Sequence, residues 1–193
     1  MAQRGLVPTA TLCLALMLAA AAPADEATFA VDPVHTTVMF RIRHADVSWF
    51  YGRFDRAGGR FVLDADGNLK SLDVYVEAAS INTNNAERDK VLRSEPFFDT
   101  KKHPKIRFVS RRIRPLGPDR WRVTGELTLR GVTRPVTVEI EKVGEAETRV
   151  PGGYRAGLHT VFSIRRTDFA MNALLNGLGD EVRLFVAIEG LRK

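Results

Sequence analysis

Cysteine is almost absent: the single Cys13 lies inside an N-terminal apolar stretch, and from Asp25 to Lys193 there is none. That region can build no disulfide, no zinc–thiolate site and no cysteine nucleophile. Long apolar runs are as scarce. The stretch from Leu6 to Ala22, interrupted by Pro8, Thr9 and Thr11, has no later counterpart near the ~20 residues that a membrane-spanning helix needs. Blocks of like charge are missing too. The 29 Lys and Arg residues, set against 23 Asp and Glu, are spread along the whole chain. That dispersal argues against a nucleic-acid-binding tail; it suits a solvated exterior, or attraction to an anionic membrane surface or acidic partner.

Catalytic patterns are missing as well. No serine sits in a G-x-S-x-G elbow, and Gly58-Gly59 and Gly152-Gly153 lack the helix and lysine that follow a phosphate-binding loop. The four histidines stand at 35, 44, 103 and 159. His35 and His44 fall on opposite parities, about 30 Å apart on a straight strand at ~3.3 Å per residue, which argues against a shared metal. Carboxylates such as Asp32, Asp99 and Asp168 leave acid–base pairing open. No catalytic residue, metal ligand or catalytic cofactor is assigned.

What is present begins at the N-terminus. Arg4, the apolar run and the small-residue step Ala22-Pro23-Ala24 form a secretory signal, so residues 1–24 are expected to be cleaved after Ala24 and residues 25–193 to form one exported domain.

Beyond it the chain alternates. Val38, Phe40, Ile42 and His44 share one parity against Met39, Arg41 and Arg43. Leu72, Val74 and Val76 oppose Asp73, Tyr75 and Glu77; Ile106 and Phe108 oppose Arg107 and Val109. The longest clean case sets Trp121, Val123, Leu127 and Leu129 against Arg120, Arg122, Thr124, Glu126, Thr128 and Arg130. Val136, Val138 and Ile140 follow, and later Leu184, Val186 and Ile188, with Phe185 breaking the pattern. Period-two alternation predicts half-buried strands, and the turn signals at Asp66-Gly67-Asn68, Gly117-Pro118-Asp119, Arg130-Gly131 and Pro151-Gly152-Gly153 join them as hairpins.

About eight strands result, including less regular ones at 53–63 and 157–164. One short polar helix is expected over 84–94, capped by Asn84 or Asn85. Strands with a single apolar face and hairpin links close naturally into an up-and-down barrel, a two-sheet sandwich being the alternative. Periodicity alone leaves open whether the barrel is filled or hollow. Trp49-Phe50-Tyr51 and Phe97-Phe98 stand outside the alternating runs, as end-packing or as an apolar rim through which a ligand enters.

Several segments carry a resemblance. VDPVHTTVMFRIRH, SWFYGRF, INTNNAERDKVLRSEPFFDTKKHPKIRF, LTLRGVTRPV and RRTDF, in that order, resemble the YceI-like family of periplasmic polyisoprenoid-binding proteins. The first two blocks contain Asp32, His35, Phe40, His44, Gly52 and Phe54. Arg88, Asp89, Leu92, Phe97, Phe98 and Pro104 belong to the third. The resemblance implies an all-β, extended antiparallel eight-stranded lipocalin-like barrel holding an isoprenoid lipid, ubiquinone-like or polyprenyl, in an apolar channel without catalysis. It also suggests a homodimer.

On this reading the ligand-binding wall is Val38, Phe40, Ile42, His44, Leu72, Val74, Val76, Phe108, Val123, Leu127, Val138, Phe162 and Val186. Gly52 is expected to permit a bend, and Arg88 to pair with Asp89 or Asp99. Val91 and Asn85 stand where family members often carry His, which bears on the headgroup. A periplasmic carrier with transient membrane contact is expected. The alternatives are a filled interaction module related to stress, or an enzyme acting on such a lipid.

Overall fold

The alternating segments pair with their neighbours in the chain, as hairpin connections require. The computed structural model describes residues 26–148 and 153–193; the expected signal over 1–24, and Pro151 and Gly152 of the last predicted turn, lie outside them. Eleven strand segments form: β1 (Ala27–Val31), β2 (Thr37–His44), β3 (Ser48–Phe54), β4 (Ala57–Leu63), β5 (Leu69–Glu77), β6 (Ile81–Asn82), β7 (Lys105–Gly117), β8 (Arg120–Leu129), β9 (Val132–Glu147), β10 (Tyr154–Arg165) and β11 (Leu178–Arg192). β1, β4, β5, β7, β8, β9, β10 and β11 pair in that order and β11 returns to β1, closing an eight-stranded antiparallel barrel.

The other three segments are continuations. β2 runs on from β1 along β11, β3 leads into β4, and β6 carries β5 onward beside β3. The expected 53–63 strand is therefore the junction of β3 and β4, broken at Asp55-Arg56.

The break between β1 and β2 is a bulge: Asp32–Thr36 lie opposite only Ile188 and Glu189, since Val31 pairs with Gly190 and Thr37 with Ala187. Asp32 secures it. Its buried carboxylate accepts the Val34 N–H at 2.9 Å and an Arg155 N–H at 2.8 Å, and lies 2.8 Å from His35 Nδ1. Bonds from His35 and Arg155 hold the Asp32 carboxyl well below the ordinary carboxylate range, against the opposing effect of burial. A group with a depressed folded pKa stabilises the fold above its unfolded value of 3.8, and that contribution is lost as pH falls through the folded value. Asp32→Asn is therefore expected to be less stable than wild type at neutral pH and to lose stability more gradually below about pH 5. Denaturant midpoints measured across that range check it.

Inside, the two ends differ. The end carrying the β4–β5 and β7–β8 turns is filled: Phe29 and Phe61 stack at 5.1 Å, and Trp121, Val123, Leu63, Leu69 and Leu158 pack around them. Three inward glycines make room for rings. A Cβ at Gly190 would lie 2.5 Å from Phe61 and 2.9 Å from Phe29, one at Gly52 would strike the Phe40 ring, and one at Gly125 would strike the Phe108 ring. Gly52 thus serves a close approach of a ring, not the bend expected from sequence. At Gly125 the Cβ would also come within 2.5 Å of the Val109 carbonyl oxygen, which cannot swing away. Gly125→Ala is expected to cost ~1–3 kcal/mol in chemical denaturation, as overpacking does.

At the other end α1 (Ala86–Leu92), the one α-helix among the described residues, sits between β6 and β7. Asn85 caps it by accepting the Arg88 N–H at 2.9 Å. Asp89, buried, accepts the Thr83 N–H at 2.9 Å and the Thr83 hydroxyl at 2.6 Å, fixing the helix to the strand before it. The β2–β3 turn is tied to the 170–177 segment that precedes β11, the Ala45 N–H donating to the Gly177 carbonyl.

A one-ended apolar cavity as the candidate binding site

The half of the barrel next to α1 encloses a cavity of about 530 Å³. Inward positions of the strands supply its wall, because every second residue of β2, β5, β7, β10 and β11 points to the barrel axis. Val38, Phe40, Val74, Phe108, Phe162 and Val186 all line it and remain only half-buried, although they face the interior. Their counterparts in the filled half, such as Phe61 and Val123, are fully buried at 0% exposure. The same alternation therefore yields two environments along one barrel: a packed plug and an apolar chamber.

Of the wall expected from sequence, Val38, Phe40, Ile42, His44, Leu72, Val74, Val76, Phe108, Leu127, Val138, Phe162 and Val186 line the cavity together. Val123 does not. It points inward as its parity requires, but it lies among Phe29, Phe61 and Trp121 in the plug. Leu158 and Ile164 of β10 line it as well, in keeping with the inward parity of the expected 157–164 strand, as do Ile106, Leu129, Leu184 and Ile188. Phe50, Leu92, Val91, Leu174 and Leu178 come from the elements around the opening. No period-two pattern marks Val91, Leu92 or Leu174, because α1 and the 170–177 segment are not strands.

The aromatic groups divide. Phe97 is buried, and both it and Phe98 line the cavity, with Phe98 meeting Phe54 edge-on at 5.7 Å. Phe50 also faces inward, while Trp49 and Tyr51 stand on the outer surface. Phe185, the break in the β11 pattern, points outward between Arg41 and Arg183, each 5.9 Å from its ring.

Polar groups are few and none is acidic: no Asp or Glu lines the cavity among the described residues. His44 and Ser48 face each other across the β2–β3 pair near the opening. Arg88 lies 4.2 Å over the Phe50 ring and donates to the Thr83 hydroxyl at 2.8 Å and the Thr83 carbonyl at 2.6 Å. It forms no ion pair with Asp89 or Asp99, contrary to the sequence expectation: Asp89 is taken up by Thr83, and Asp99 lies 3.2 Å from Lys102. Arg166 is buried and donates to the carbonyls of Met171, Ala173, Leu178 and Gly179 at 2.7–3.0 Å. Burial pushes its pKa down from the ordinary arginine value. It braces the segment that forms one side of the opening.

Asp32, Asp99 and Asp168 share no hydrogen bond and none of them lines the wall. Among the described residues one group has metal-ligand proximity, Asp32, His35 and Glu189. The Arg155 guanidinium bridges Asp32 and Glu189 there and already supplies the positive charge. The group is an ion-pair network that closes the bulge.

A closed antiparallel barrel plugged at one end and hollow and apolar at the other is the architecture of lipocalin-like ligand-binding barrels. The chain belongs to the YceI-like family, whose domain model matches residues 29–190. A UPF0312 protein of Photorhabdus laumondii is 40% identical over 160 residues, covering 82% of each chain. One of Pseudomonas aeruginosa is 36% identical over 187 residues, covering 95% of this chain and 97% of its own. Among solved structures, BcnA of Burkholderia cenocepacia superposes with a TM-score of 0.73 at 22% identity, over 82% of this chain and 98% of that one. A Campylobacter jejuni YceI protein gives 0.69 at 28% identity, over 78% and 90%. A domain from Saccharophagus degradans described as polyisoprenoid-binding gives 0.64 at 14% identity, over 86% and 98%.

Proposed function

We propose that this protein is a non-catalytic carrier that holds one long-chain isoprenoid lipid, quinone-type or polyprenyl, in the hollow half of its barrel. The observation that carries this reading is the contrast between the two halves. Aliphatic and aromatic side chains of the chamber wall border open space and stay only half-buried, a lining complementary to an apolar chain. Each 100 Å² of ligand surface removed from water there contributes ~2.5 kcal/mol. The polyisoprenoid-binding description of the S. degradans domain supports the same ligand class.

Two further features bear on the cargo. The plug sets a floor, so the ligand enters and leaves by the α1 end. The polar wall residues are His44, Ser48, Arg88 and others without a carboxylate, which suits a neutral or anionic headgroup over a cationic one. The secretory signal read in residues 1–24 supports a periplasmic carrier, for which an isoprenoid moving between membranes would require transient membrane contact.

Titrating delipidated protein with a ubiquinone and a polyprenol tests the reading. Saturable binding of one molecule per chain is expected for at least one of them. Absence of saturable binding by both would return weight to an interaction module.

A further inference from the structure

Three elements border the opening, and each presents apolar side chains to solvent. Val47 in the β2–β3 turn is 84% exposed and Trp49, just after it, 51%; Val91 on α1 and Leu174 and Leu175 before β11 are also exposed. The elements are tied together. The Ala45 N–H donates to the Gly177 carbonyl at 2.8 Å, joining the turn to the 174–177 segment, and Arg88 over Phe50 joins α1 to β3. Val91 and Leu174 line the cavity as well, so the apolar rim is continuous with the chamber wall.

Leu174 is held at φ 54°, a left-handed conformation that glycine or asparagine adopts with less strain. A leucine there leaves an isobutyl group 65% exposed at the mouth at a conformational cost.

The charges beside this rim are of one sign in excess. Arg41 stacks 4.4 Å over Trp49, and Arg88 and Lys90 extend from α1. None of these three enters an ion pair among the described residues, whereas the nearby acids are engaged: Asp46 with Arg43 at 3.1 Å, Glu95 with Arg130 at 3.5 Å and Asp180 with Arg165 at 2.9 Å. Glu87 is the exposed acid on α1 that offsets them in part.

We propose that this rim is a docking surface for an anionic lipid bilayer, which seats the mouth of the cavity directly against the membrane. Tryptophan favours the headgroup boundary, aliphatic groups insert beneath it, and unpaired cations meet the surface potential of anionic lipids. A few side chains of each kind give weak, reversible attachment, as loading and release of cargo require. The purpose assigned to the contact rests on the carrier reading, but its chemistry does not.

Flotation of the chain from Asp25 to Lys193, without the apolar leader, with vesicles of phosphatidylethanolamine and phosphatidylglycerol tests the proposal, with phosphatidylcholine vesicles as the neutral comparison. Co-flotation is expected with the anionic vesicles and is expected to fall with added salt. Emission from Trp49 should shift to shorter wavelength on binding, while Trp121, only 2% exposed in the plug, stays constant. The combined variant Val47→Ser, Trp49→Ser, Leu175→Ser alters exposed groups that do not line the cavity, and is expected to keep its melting temperature and cargo while vesicle affinity drops about tenfold or more.

Flotation equal with neutral vesicles, or unchanged in the combined variant, overturns the proposal. Protein that stays in the aqueous phase with every vesicle overturns it too and points to a protein as the rim's partner. Docking without any extractable isoprenoid would uphold the surface and sink the carrier reading instead, so the two failures are separable.

Discussion

Val38→Phe together with Val186→Phe is expected to abolish isoprenoid binding without lowering the melting temperature. The two valines face each other in register across β2 and β11, and both line the chamber. In a packed interior such enlargement forces neighbours off their rotamers and costs ~1–3 kcal/mol. Here the added rings enter a cavity of about 530 Å³ and bury their own surface. Displacing even ~100 Å² of ligand contact removes ~2.5 kcal/mol, close to a hundredfold in affinity. Calorimetric melting and a binding titration on the same preparation read both effects. Val123→Phe supplies the control: it enlarges a side chain of the plug and should destabilise, with no direct effect on the ligand wall.

The converse substitution has the larger effect on stability. Phe61 is fully buried, stacked on Phe29 and capped by Gly190. Phe61→Ala leaves a hole that the closed end cannot collapse into, and is expected to cost ~3–5 kcal/mol, lowering the melting temperature by roughly 10 °C or more. Phe162→Ala removes the same atoms from the chamber wall, where the ring is only half-buried. It should cost clearly less stability and show itself in ligand affinity. Equal losses at the two positions would mean that the barrel is packed alike throughout.

Alternation is a local property of the chain, and what depends on it was legible. The Arg120–Leu129 pattern is β8 as found, and the parities of β2, β5 and β11 put their inward side chains on the cavity because strand geometry leaves a side chain only two faces. Height along the barrel axis is not local. Val123 and Leu127 read identically in sequence, yet one meets Phe61 and Trp121 in the plug and the other the cavity, because strand tilt and stagger set their depth.

The same limit explains the strand breaks. Nothing in Asp32–Thr36 announces a bulge until Arg155 and Glu189, far along the chain, come together around Asp32. Gly52 is a comparable case, since its reason is the Phe40 ring on the adjacent strand. The Trp49-Phe50-Tyr51 cluster lies outside the clean runs of the sequence, yet it obeys β3 parity, with Phe50 inward and its neighbours outward. Arg88 was expected to find Asp89 or Asp99; helix geometry instead directs Asp89 to Thr83 and leaves the guanidinium over Phe50.

The most direct measurement is mass spectrometry of an organic extract from protein purified without detergent from its native cells. A stoichiometric isoprenoid is predicted, with its headgroup neutral or anionic. An extract free of lipid, from protein that also takes up neither quinone nor polyprenol when offered them, would contradict the carrier function.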